Sequence, residues 1–129
     1  MGLFDFFKKK KELPDFSYID SMNKAREEYE KGNLERIYLI APKFGGSENE
    51  DNTVYVPLGI KQVKEGYDNT IAHLIKIGYK MSYNCKLEYK NGSVIPSKIY
   101  MITKKNGEEE ITNTINIYNK CNKLFTKIS

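Results

Sequence analysis

Several features that mark common protein classes are scarce or absent in this sequence. Its 129 residues include two cysteines, one histidine and no tryptophan. Two cysteines are too few for the disulfide-dense scaffold of a small secreted domain. No run of 18 apolar residues occurs, so no transmembrane helix is expected. The apolar stretch at the start of the chain ends at Lys8, too soon for a signal peptide, and we therefore expect a cytoplasmic protein.

Groups that perform catalysis or bind metals are equally scarce. The sequence contains no G-x-S-x-G, no P-loop and no H-E-x-x-H, which are signatures of nucleophilic, phosphate-binding and zinc sites. His73 has no acidic residue four positions before or after it, so helical spacing cannot build a metal site there. We therefore expect no enzymatic activity, no cofactor and no bound metal.

The size and charge of the chain fit one domain with basic ends. A chain of 129 residues, 40% of them hydrophobic, has room for one core, so residues 1–129 are predicted to form a single domain. The net charge is +4, but residues 1–12 hold four lysines against two acids, and residues 119–129 hold three lysines and no acid. The basic character therefore belongs to two tails rather than to a folded binding face.

Hydrophobic periodicity predicts two helices and five strands. One helix is capped by Ser17 or Asp20 and runs to about Lys31, with an apolar stripe of Tyr18, Met22, Ala25 and Tyr29. The second covers about 59–77 and is ended by Gly78, and His73 points away from its apolar stripe of Ile60, Val63, Tyr67, Ile71, Leu74 and Ile75. The strands are predicted at residues 36–42, 53–57, 79–90, 99–103 and 110–118. The predicted fold class is α+β, an antiparallel sheet of about five strands with a C-terminal three-stranded meander and two helices packed on one face.

The segment 79–90 has the clearest pattern in the chain. Apolar residues occupy every odd position and polar residues every even one, which is the period of a strand with one buried and one exposed face. Cys85 falls on the apolar face, so we interpret it as a buried thiol rather than a nucleophile. The Asn-Gly pairs at 91–92 and 106–107 predict the two turns of a meander over residues 79–118.

An acidic loop between the first two strands is the strongest candidate for a binding site. It carries a Gly45-Gly46 pair followed by three acids. Such a loop could bind calcium, but the ligand spacing of an EF-hand and its terminal bidentate glutamate are absent. We predict instead that the acids meet a basic protein partner, while aromatic residues on either side supply anchors. The predicted partner-binding residues are Glu48, Glu50, Asp51, Phe44 and Tyr55.

Two other surfaces support an alternative function. The lysine tails, with the apolar stretch before Lys8, have the composition of a segment that lies on an anionic membrane surface. Lys80, Lys86 and Lys90 lie on the polar face of the predicted strand 79–90, where they could contact nucleic acid. The aromatic residues of that strand fall on its buried face, so nucleic acid is the weaker prediction. The alternative is thus a nucleic-acid or membrane-surface accessory protein.

The first residues carry a resemblance to a known class of proteins. The segment Met1-Gly2-Leu3-Phe4-Asp5-Phe6-Phe7-Lys8-Lys9 resembles the start of many small bacterial proteins. Some of these are similar to immunity proteins of polymorphic toxin systems, including those of contact-dependent inhibition. The resemblance implies a protein that covers the active site of a cognate toxin, and it assigns no individual residue. We therefore predict a protein-binding module whose partner is a cognate protein toxin, with the oligomeric state left open.

Overall fold

The computed structural model describes residues 16–118 and the backbone of residues 127–128. The elements, in chain order, are α1 (Met22–Glu30), β1 (Leu34–Tyr38), β2 (Thr53–Pro57), α2 (Ile60–Lys76), β3 (Met81–Glu88), β4 (Lys98–Lys105), β5 (Glu109–Asn116) and β6 (Lys127–Ile128). Two short 3₁₀ turns, Pro42–Phe44 and Glu50–Asn52, lie between β1 and β2. The predicted basic tails and the segment Met1–Lys9 lie outside the described residues, apart from the backbone of β6.

The strands form two antiparallel sheets, so the expectation of a single five-stranded sheet is wrong. Among the described strands, β1 and β2 pair only with each other, as a two-stranded ribbon. The second sheet has the order β3, β4, β5, β6. The helices do not share one face of one sheet either, because α1 contacts the ribbon whereas α2 contacts strands of both sheets. The α+β class is confirmed, and α2 joins the two sheets into one core.

The predicted meander over residues 79–118 is confirmed. Strand β3 pairs with β4, and β4 with β5, in continuous antiparallel register. Odd-numbered residues of the three strands face the core, as the alternation predicted. Because β3 is at the edge, its apolar face is only half-buried, whereas Ile99, Met101 and Ile115 on β4 and β5 have no exposed surface. The centre of the core therefore lies under β4 and β5.

Helix α2 follows its predicted course. The buried residues of its apolar stripe include Ile60, Tyr67 and Ile71. The helix ends at Lys76, and Gly78 follows with φ of 109°. Glycine is favoured there because a side chain would make this left-handed conformation strained. The sequence was therefore sufficient to predict where helix α2 runs and where it ends.

Helix α1 is shorter than predicted and begins at a different cap. Its first turn is capped by Ser21, whose hydroxyl oxygen accepts a hydrogen bond from the Lys24 amide at 3.2 Å. The predicted caps Ser17 and Asp20 precede this position. Only Ala25 of the predicted apolar stripe is fully buried, which fits a helix that covers the ribbon from the surface.

The first predicted turn of the meander is part of a longer connection. Asn91 and Gly92 both have positive φ and reverse the chain, but β4 does not begin directly after them. The intervening residues pack against the start of the described chain. The Val94 amide and the Ser93 hydroxyl both donate to the Ile19 carbonyl, each at 3.0 Å. This connection therefore ties the segment before α1 to the meander.

Candidate functional site

The acidic loop, residues 39–52, is held in place by one asparagine. Asn52 Oδ1 accepts a hydrogen bond from the Ile40 amide at 3.0 Å, and its Nδ2 donates to the carbonyls of Ile40 at 2.8 Å and Ser47 at 2.6 Å. These bonds explain why β1 ends at Tyr38 and not at the predicted residue 42, because Ile40 pairs with a side chain instead of a strand. The loop is therefore closed on itself before any partner binds.

The path of the loop backbone requires glycine at position 46. The Gly46 amide donates to the Ala41 carbonyl at 3.2 Å. A Cβ atom at Gly46 would lie 1.7 Å from the carbonyl oxygen of Ile40, so no side chain fits there. The tight fold of the loop thus depends on glycine at this position.

All three predicted acids lie on the surface of this loop. Glu48, Glu50 and Asp51 are exposed. The Glu50 carboxylate lies 3.8 Å from the Arg26 guanidinium, and both side chains are about half or more exposed, so this ion pair contributes little stability. Glu48 and Asp51 form no ion pair with residues 16–118. The structure therefore presents three carboxylates to solvent on one short segment.

The two predicted aromatic anchors lie in different environments. Phe44 is half-buried, and its ring stacks on Tyr83 of β3 with centroids 5.9 Å apart. Tyr55 is only 8% exposed and packs against Tyr29 at a centroid distance of 5.5 Å. Tyr55 belongs to the core because β2 contacts both helices and three consecutive residues, Val54–Val56, are buried. Tyr29, which packs on Tyr55, is 39% exposed.

A buried charged network lies beneath Phe44, and the sequence analysis did not predict it. Lys64 and Asp68 lie one turn apart on α2, with side chains 3% and 8% exposed. Lys64 Nζ donates to the two carboxylate oxygens of Asp68 at 2.9 and 2.7 Å, and the Tyr83 hydroxyl donates to Oδ1 at 3.2 Å. The one sequence signal was a lysine and an aspartate at i,i+4 beside the apolar stripe, a spacing that ordinarily marks an exposed pair.

Burial sets the protonation of the residues next to this network. Burial, together with the neighbouring Cys85 and Asp68, raises the pKa of the Tyr83 hydroxyl far above its ordinary value. Burial also raises the pKa of the Cys85 thiol, which donates to the Leu39 carbonyl at 3.2 Å. A protonated thiol is a poor nucleophile, so the interpretation of Cys85 as a structural residue is supported.

Two pockets open on either side of Lys43. The first has a volume of about 400 Å³ and lies between β1, the first 3₁₀ turn and α2. The second has a volume of about 610 Å³ and lies between the acidic loop, α2 and β3, with Asp51 in its lining. Lys43 lines both pockets, and its Nζ donates to Asn69 Oδ1 at 3.1 Å. The acidic loop, the charged network and the two pockets thus form one continuous region.

Comparison with known proteins assigns no family to this chain. A scan against models of protein families finds no match, and neither does a search of curated proteins.

Within the described residues, no group of three or more histidine, cysteine, aspartate or glutamate side chains is placed to hold a metal ion. His73 is exposed, as its place opposite the apolar stripe predicted. In the same part of the chain, no helix has the length and apolarity needed to cross a membrane.

Proposed function

We propose that this chain is a protein-binding module that acts as an immunity protein and neutralises a cognate bacterial toxin by binding it. The acidic loop carries the proposal, because it holds three exposed carboxylates on a backbone fixed by Asn52 and Gly46. A loop that is already ordered loses little conformational entropy on binding. The resemblance of Met1–Lys9 to immunity proteins supports a toxin as the partner, and binding in the cytoplasm is part of the proposal.

The charge of the loop supports a basic surface on the partner. A toxin that acts on nucleic acid needs a positively charged cleft for its phosphates, and carboxylates can occupy such a cleft in their place. Complementary charges chiefly accelerate association, whereas aromatic contacts at the centre of an interface slow dissociation. Phe44 supplies the aromatic contact in this proposal, because it is only half-buried and belongs to the same loop as the acids. Tyr55 is buried and supplies no contact in this proposal.

The alternative function has weaker support from the described residues. Lys86 and Lys104 are exposed on the outward face of the meander, but acids lie among the lysines of this face. Glu88 pairs in register with Lys98, and Glu110 with Lys104. Opposite charges that face each other across strands attract one another and leave a mixed surface rather than a basic one. A nucleic-acid or membrane-surface role therefore rests mainly on the tails, which lie outside the described residues.

Association kinetics with the toxin encoded in the adjacent open reading frame test the proposal. Reversal of the three loop acids to lysine should slow association at low salt by about one to three orders of magnitude. The same variant should lose protection of cells that express the toxin. The control variant has an identical change in net charge and reverses three exposed acids outside the loop: Glu27, Glu30 and Glu108.

The control variant should associate much faster than the loop variant and still protect cells. Phe44→Ala should mainly accelerate dissociation, because it removes an aromatic contact without changing the charge. Equal slowing in the loop and control variants would show that only total charge matters. An association rate for the loop variant equal to that of the wild type would contradict the proposal directly.

A further inference from the structure

We propose that the pocket of about 400 Å³ between β1 and α2 binds a small phosphorylated molecule of the size of a nucleoside monophosphate. Ligand pockets typically measure about 300–1,000 Å³ and combine apolar walls with a few polar groups. This pocket has both features. Its apolar lining comes from β1 and the turn after it: Ile37, Tyr38, Ala41 and Pro42. Its polar lining comes largely from α2. Binding of this ligand does not depend on whether the proposed toxin partner is correct.

The charges around the pocket match one phosphate monoester. The charged residues in its lining are Arg36, Lys43, Lys61, Lys64, Glu65 and Asp68. Lys64 and Asp68 neutralise each other through their two hydrogen bonds, which leaves three basic side chains against one acid. A phosphate monoester carries a charge of about −1.5 to −2 at pH 7. An excess of two positive charges therefore favours this group over a neutral ligand.

The three remaining basic groups come from three separate parts of the chain. Arg36 belongs to β1, Lys43 to the first 3₁₀ turn and Lys61 to the first turn of α2. The Arg36 guanidinium lies 5.7 Å from the centroid of the Tyr29 ring, so an aromatic face already accompanies this cation. Basic residues from three parts of the chain therefore line the pocket, with apolar surface left for the rest of the ligand.

Titration of the full chain with adenosine monophosphate, followed by amide NMR signals, tests this assignment. Saturable shifts should appear in residues 36–43 and 61–69. Lys61→Ala should weaken binding about fivefold or more, as the loss of a charge-assisted contact does. The matched control is Lys76→Ala, which removes an exposed lysine from the last turn of the same helix, away from the pocket. This control should bind within about twofold of the wild type.

Two further probes separate the parts of the ligand. Adenosine lacks the phosphate and inorganic phosphate lacks the apolar body, so each should bind about tenfold or more weakly than adenosine monophosphate. The proposal is overturned if no saturable shift appears at about 10 mM of the nucleotide. Equal weakening by Lys61→Ala and Lys76→Ala would mean nonspecific attraction to a basic chain. Inorganic phosphate or adenosine that binds as tightly as the nucleotide would also exclude the assigned ligand.

Discussion

The buried ion pair on α2 allows a quantitative prediction about stability. Lys64 and Asp68 are almost fully removed from solvent, and both hydrogen bonds of Lys64 go to the Asp68 carboxylate. Removal of one partner leaves the other charge buried and uncompensated, which typically costs about 3–5 kcal/mol. Asp68→Ala should therefore lower the free energy of unfolding by about that amount. A domain of this size has about 5–15 kcal/mol in total, so the variant should be near the limit of folding.

Replacement of both charges should cost far less than replacement of either one. In the double variant Lys64→Met/Asp68→Leu, apolar side chains fill the same space and no buried charge remains. Such exchanges are often neutral or stabilising by about 1–4 kcal/mol. The Tyr83 hydroxyl then loses its acceptor, at a cost of about 1–3 kcal/mol for an unsatisfied buried group. The double variant should accordingly be more stable than either single variant.

Urea unfolding of the wild type, Lys64→Met, Asp68→Leu and the double variant measures the coupling free energy. We expect a coupling of about 2 kcal/mol or more for the buried pair. The chain provides a matched control in Asp20 and Lys24, which also form an i,i+4 pair, at 2.8 Å, with side chains 57% and 55% exposed. Their coupling should be much smaller, because exposed ion pairs contribute little to stability. Similar coupling in the two pairs, or additive losses at Lys64 and Asp68, would refute the buried network.

Two further predictions concern the core and alkaline pH. Ile99→Ala removes a side chain with no exposed surface and should lower the free energy of unfolding by about 2–5 kcal/mol. Leu87→Ala, on the half-buried face of β3, should lower it by less. Equal losses of free energy in urea unfolding would mean that β3 is covered in solution. The pKa of Tyr83 is raised in the folded protein, so folding favours the neutral hydroxyl. The neutral hydroxyl contributes its full stability below the unfolded-state pKa of about 10, and this contribution is lost as the pH rises above that value. The urea midpoint should fall above about pH 10, and less steeply in Tyr83→Phe; parallel pH profiles for the two proteins would exclude this cause.

The elements with a strong local period could be predicted from the sequence. In the segment 79–90, alternation fixed which side chains face the core, and the structure confirms that face for Tyr83 and Leu87. The course and the end of helix α2 could be predicted equally well, because the apolar stripe and Gly78 both lie within or next to the helix in the sequence. Local pattern carries this information because a strand or helix must bury its apolar face whatever it packs against.

Features that depend on distant partners could not be predicted. The sequences of β1 and β2 do not indicate that these strands pair only with each other. That pairing determines the number of sheets. Tyr55 flanks the acidic loop in the sequence but is covered because two helices pack on β2. The burial of Lys64 and Asp68 depends in turn on Tyr83, which is remote in sequence and supplies the hydroxyl and the ring that accompany the charges.

The same tyrosine connects the buried network to the acidic loop. Its hydroxyl donates to Asp68, and its ring stacks on Phe44, so Tyr83 contacts both the buried network and the loop. A buried ion pair adds little net stability compared with apolar residues, but its hydrogen bonds have fixed directions that apolar contacts lack. One orientation of Tyr83 satisfies Asp68, and that orientation places the ring under Phe44. An apolar replacement of the pair would keep the core filled while it removed this constraint on Tyr83, and the ring of Phe44 would then lie in a less defined position on the loop that Asn52 holds.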